Sequence, residues 1–232
     1  IGDASGVMLA FLGEAPAVAV NDAVTVKGTT ELRNGVIQFG KEGLSVAKTG
    51  TGSYNTPAPE VMDGTAVTAY IATVLENKAV YKYVKYNGEF TVSGNFYNVV
   101  IAGTTTKGSV AYGKSEWASF NGKPVTVEGW LLGGTANYLQ TMATSVTVDS
   151  STPIVKISAP QQFAATSPVA QTLNYTVTNT TASAVTFAIE GTNLDKFELG
   201  AKTDNSIQVS AKGNNTTDVA YTANLVAKVA GV

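Results

Sequence analysis

The sequence predicts a mostly β chain: two related barrel modules in tandem, the first incomplete, followed by a β-sandwich. Three observations predict it. A strand-opening unit is used twice, since N-D-A-V-T-V-K-G at residues 21–28 returns as N-G-K-P-V-T-V-E-G at residues 121–129. Gly is frequent, at 23 residues, Thr and Val recur throughout, and long runs of helix formers are missing. From Thr152 onward, short alternating runs are separated by turn clusters at the roughly 8–12 residue spacing of a sandwich. The 232 residues, 44% hydrophobic and 14% charged, suit several small domains with cores rather than disorder.

Along the chain, G-V-M-L-A-F-L at 6–12 is an apolar run of buried-strand length, and G-E-A-P-A at 13–17 ends it. In both copies of the repeated unit a turn pair, Asn21 and Asp22 or Asn121 and Gly122, leads into alternating Val and Thr, closed by Gly28 or Gly129. The likeness continues to Gln38 in G-V-I-Q-F and Gln140 in N-Y-L-Q-T. Residues 35–40 and 44–48 read as further strands. T-G-T-G-S-Y-N-T-P-A-P at 49–59 is too rich in Gly and Pro to continue a sheet and reads as a linker.

Residues 65–76 carry the best helical pattern, with Asp63 or Thr65 as N-cap and Val67, Tyr70, Ile71, Val74 and Leu75 on one face that packs on the barrel it precedes. The second module then reads as strands at 81–93, 96–102 and 108–112, a helical turn at 115–120, and strands at 123–132 and 137–148. Five strands with a helical insertion between the third and fourth is the plan of an OB barrel. On that template residues 1–57 begin at a second strand, so a first strand and a leader are expected before Ile1. The expected domains are a partial OB-like module at 1–57, an OB-like module with its preceding helix at 58–148, and a sandwich at 149–232. Strands of the sandwich are expected at 154–158, 172–178, 184–189, 197–199, 206–211 and 219–230.

The stretch Y-V-K-Y-N-G-E-F-T-V-S-G-N-F-Y-N-V-V-I-A-G at 83–103, followed by F-N-G-K-P-V-T-V-E-G-W at 120–130, resembles OB-like domains of secreted and lipid-anchored surface proteins from Bacteroidetes. I-G-D-A-S-G-V-M-L-A-F at 1–11 resembles the second strand of such a domain. I-S-A-P-Q-Q-F-A-A-T, F-A-I-E-G-T-N-L-D-K-F-E-L and S-I-Q-V-S-A-K-G-N-N-T-T are similar to BACON and related immunoglobulin-like modules of the same proteins. The resemblance implies an extracellular, cell-surface or periplasmic protein with a lipid anchor upstream of Ile1, and polysaccharide or host glycan as the ligand class. OB-like modules also accompany secreted nucleases. Residues 152–232 depart from the BACON pattern in having no Trp, their aromatics being Phe163, Tyr175, Phe187, Phe197 and Tyr221.

Composition narrows the chemistry. Net charge is -2 and evenly spread, with Arg33 the sole arginine and no basic cluster, which makes nucleic acid a poor partner. The chain has no Cys and no His, which excludes disulfides, thiol nucleophiles, imidazole bases and every zinc site except an all-carboxylate one. The carboxylate pairs Glu60 with Asp63 and Asp195 with Glu198 read as solvated surface, and Asn193 to Asp195 and Asp204-Asn205 as Asx turns rather than calcium ligands. No apolar run reaches the roughly 18 residues of a membrane span.

No cofactor, metal or catalytic group is therefore expected. OB barrels often bind ligands on the second and third strands and the flanking loops. That region offers Phe96, Tyr97, Tyr112 and Trp117 as ligand-binding candidates. Alternation sends Tyr97 inward with Val99 and Ile101 and leaves Phe96 outward, so Phe96 and Trp117 are the stacking candidates, although a Trp beside a small barrel more often plugs its end. Trp130 and Tyr138 are expected to face each other across the last hairpin as packing. The expected function is non-catalytic surface binding or spacing, with polysaccharide or glycan as ligand. The alternatives are an accessory segment of a secreted nuclease and an adhesin or assembly subunit whose sheet edges pair with another chain.

Overall fold

The computed structural model describes residues 1–229 apart from 4, 15, 160 and 161. It is mostly β, with 48% strand and 11% helix, and divides into two compact units, Ile1–Asp149 and Ser150–Val232.

In the first unit the strands are β1 (Gly2–Asp3), β2 (Gly6–Val7), β3 (Asp22–Lys27), β4 (Thr30–Arg33), β5 (Val36–Phe39), β6 (Ser45–Thr51) and β7 (Glu60–Val61). Helix α1 (Gly64–Leu75) follows, then β8 (Tyr83–Ser93), β9 (Phe96–Val100), β10 (Lys107–Ala111), a 3-10 segment at Ser115–Phe120, β11 (Pro124–Gly134) and β12 (Tyr138–Val148). Strands β8, β9, β10, β12 and β11 pair in that order, and β11 pairs back onto β8, which closes the ring. Every contact in the ring is antiparallel except β10 with β12.

Period-two alternation fills the ring. Along β8, Val84, Tyr86 and Phe90 turn inward, and along β11 Val125, Val127 and Leu131 do the same. The Phe90 ring lies 5.6 Å from Tyr97 and 6.2 Å from Phe120. Gly129, which closes the second copy of the repeated unit, sits at a register shift between β11 and β12, where a Cβ would run into the Met142 carbonyl.

Burial of Tyr86 pushes its phenol up from 10.0 to about 12, partly offset by the hydrogen bond to Thr141 Oγ1 at 3.1 Å. The unfolded chain ionises this group near 10 and the folded chain only near 12. Its contribution is therefore complete below pH 10 and is lost as pH rises through 12, a fall of roughly 2–3 kcal/mol. Urea midpoints at pH 8 and pH 12 read that fall directly.

Helix α1 buries Val67, Tyr70, Ile71 and Val74 against the same core, while Leu75, expected on that face, is exposed because it lies at the last helical residue. The helix begins where it does because the Asp63 carboxylate accepts from the Ala66 N–H at 2.8 Å. Asp63→Ala is expected to lower the urea stability of the first unit by about 1 kcal/mol.

In the first copy, β3 pairs with β6, and β4 with β5 around the Asn34-Gly35 turn. The apolar run at 6–12 is not one buried strand. Only Gly6–Val7 forms a strand, with a separate parallel bridge from Ala10 to Phe39, and Val7 through Leu12 are half-buried. Strand β6 runs through Gly50 to Thr51, so the expected linker begins later, and β7 pairs in parallel with β8. Trp130 does not face Tyr138. Its cross-strand neighbours are Met142 and Tyr83, and Tyr138 pairs with Lys107.

The second unit holds β13 (Ile154–Ile157), β14 (Gln171–Thr178), β15 (Val185–Glu190), β16 (Phe197–Lys202), β17 (Ser206–Ala211) and β18 (Asn224–Val229). Four strands form one sheet in the order β13-β14-β17-β16, and β15 pairs with β18 in a second. Leu173, Ile207 and Val209 are the buried centre, with Ile157, Phe163, Phe187, Leu199 and Leu225 packed on them. The last strand begins at Asn224 rather than at Val219, which is exposed, and its expected end at Ala230 lies outside the described residues, as does part of the turn at 13–17.

Candidate binding site

The tips of two hairpins meet in the first unit. Asn34 stands at a φ of 50° in the β4–β5 turn, which exposes its carbonyl and side chain together. The Gly134 N–H donates to the Asn34 carbonyl at 2.9 Å, and Asn34 Nδ2 donates to Gln140 Oε1 at 2.7 Å. These contacts join residues about a hundred positions apart in the chain.

Beside this junction lies a cavity of about 210 Å³. Arg33, Asn34, Gln38, Gln140 and Tyr112 supply its polar lining, and Leu9, Phe11 and Leu132 its apolar wall. Gln38 is buried and oriented by donating to Glu31 Oε1 at 2.7 Å. The two glutamines that the duplication places at corresponding positions therefore share one cavity. Tyr112, at a φ of 55° just past β10, is 66% exposed at its rim. Chemically the site offers planar amides, a guanidinium and an aromatic ring, which suit a ligand bearing many hydroxyl or carbonyl groups.

The four residues singled out from the sequence are not brought together. Tyr112 lines the cavity. Phe96 is 72% exposed in the turn between β8 and β9, and Tyr97 is half-buried with its ring against Phe90. Trp117 is only 5% exposed, turned into the barrel core with Lys114 Nζ 5.5 Å from its ring centre. It forms no exposed platform with Phe96, because the 3-10 segment that carries it packs inward.

Sequence reasoning missed Arg33, Asn34, Gln38 and Gln140 as a group. The recurrence of Gln was a signal, but only for duplication. A second aromatic group also escaped it: Trp130 lies 5.1 Å from Tyr83 and 6.5 Å from Tyr54, and the Tyr83 hydroxyl donates to Glu128 at 2.6 Å. Burial and the Glu128 carboxylate push the Tyr83 phenol above its ordinary range.

Among the described residues no group of three or more His, Cys, Asp or Glu side chains could hold a metal ion, and no helix is long and apolar enough to cross a membrane. Comparison with protein-family models, with curated proteins and with solved structures finds no match for this chain. What the coordinates define is a β-rich chain with a polar, aromatic-rimmed cavity.

Proposed function

We propose that this chain is a non-catalytic binding protein of the bacterial cell surface that recognises polysaccharide or host glycan through the cavity of Arg33, Asn34, Gln38, Tyr112 and Gln140. The observation that carries this reading is the convergence of three amide side chains, one guanidinium and an exposed tyrosine on one concavity. Surface location rests on the resemblance to lipid-anchored proteins.

The fold reading behind it is an OB-like barrel, preceded by an incomplete relative and followed by an immunoglobulin-like sandwich. Ring order and the 3-10 segment between β10 and β11 support the barrel, and the four-stranded sheet facing a smaller one supports the sandwich.

The test is a glycan array probed with the whole chain and with Tyr112→Ala, Arg33→Ala and Phe96→Ala, beside a single-stranded DNA titration at low salt. Binding to at least one glycan is expected, weakened by about tenfold or more in Tyr112→Ala and Arg33→Ala and unchanged in Phe96→Ala. Loss only in Phe96→Ala moves the site to the β8–β9 turn. Salt-sensitive DNA binding with a silent array favours the nuclease-accessory reading instead.

A further inference from the structure

The second unit has an asymmetry that its own sequence makes consequential. In an immunoglobulin-like sandwich four strands face three, and here β13, β14, β17 and β16 face only β15 and β18. Strand β18 is hydrogen-bonded along β15 and, among the described residues, pairs with no second strand. In that seven-strand plan β18 is the sixth strand and the seventh lies beside it.

A cavity of about 320 Å³ opens there. Its lining runs from Ile157 and Ala159 at the end of β13 to Ala223 and Leu225 at the start of β18, over a floor that includes Leu173 and Val209. No charged residue lines it. Leu225 and Val226 remain only half-buried, and three residues make up the buried centre of the unit.

The edge is also unguarded. Sheet edges are normally blunted by proline, by bulges or by free charges. Six consecutive residues of β18 pair with β15 without a register shift, none of them is proline, and the strand's one charge, Lys228, is held by Glu190 at 2.6 Å.

We propose that β18 is the acceptor edge for a seventh strand donated by another polypeptide. The donor is an extended, uncharged segment with apolar residues at alternate positions, lying antiparallel to β18 with those side chains in the cavity. A small apolar molecule would fill the space but leave the outward N–H and C=O groups of β18 to water, and only another extended backbone meets both requirements. The proposal rests on the sandwich reading of this unit and is independent of the glycan reading.

The experiment is backbone hydrogen exchange on the whole chain with two seven-residue probes, capped at both ends: one alternating Thr and Val, the other alternating Thr and Lys. In the peptide-free chain, protection along β13, β14, β17 and β16 tests the sandwich reading separately. The Thr/Val peptide is expected to slow exchange at alternate β18 amides by about tenfold or more, and the Thr/Lys peptide to leave them unchanged. Ala223→Trp, which fills the mouth of the cavity, is expected to remove the protection.

Equal protection by both peptides, or by neither, overturns the proposal. So does full protection of β18 before any peptide is added. Saturation of the cavity by an apolar dye while the Thr/Val peptide leaves β18 exchanging would make it a small-molecule pocket and overturn it too.

Discussion

Trp117→Ala is expected to destabilise the first unit by about 3–5 kcal/mol, the usual range for truncating a buried Trp. The side chain is 5% exposed and belongs to the cluster that holds Phe90, Val99, Val110 and Val127. It comes from a 3-10 segment whose backbone is fixed at one end by the Trp117 N–H donating to the Lys114 carbonyl at 3.0 Å, so the segment collapses poorly into the space left behind. Urea unfolding followed by the fluorescence of the remaining Trp130 measures the loss. An unchanged midpoint would contradict the packing role, and lost ligand binding at an unchanged midpoint would return Trp117 to the list of contact residues.

Gly133→Val is the second large effect. Gly133 has a φ of 81°, a left-handed conformation that a β-branched residue adopts only under strain, of order 1–3 kcal/mol. A Cβ there would also overlap the Asn34 carbonyl, the group that accepts from the Gly134 N–H. Relief requires the two hairpin tips to part, which breaks the Asn34 to Gln140 hydrogen bond and opens the cavity. The expected outcome is a loss of about 2 kcal/mol or more in thermal or urea unfolding, with weaker glycan binding. Wild-type stability in this variant would contradict the close approach of the two tips.

Several features of the fold were legible because their causes are local. Alternation along β8 and β11 states which side chains face the core, the Asp63 cap and the 3.6-residue apolar stripe mark α1, and glycines close the repeated unit where backbones approach. Non-local features were not. The run at 6–12 has a buried strand's composition, yet its partner Phe39 accepts it at a single bridge. Trp130 and Tyr138 look opposed when a short hairpin is assumed, but a register shift between Leu131 and Gly134 displaces the pairing and brings Trp130 to Tyr83.

The site was less legible still. Tyr112 was singled out as an aromatic near the third barrel strand, and it does line the cavity. Arg33, Asn34 and Gln38 are ordinary turn and strand residues in sequence. They become a group with Gln140 only when two hairpin tips from different copies of the repeat dock on each other.

The most direct measurement of the binding account is a titration of the isotope-labelled chain with a neutral polysaccharide hydrolysate, following side-chain amide signals. Shifts confined to Asn34, Gln38 and Gln140, abolished in Tyr112→Ala, are the predicted result. Unmoved amides at these three residues, with shifts gathered instead around Phe96 or Trp130, would contradict it.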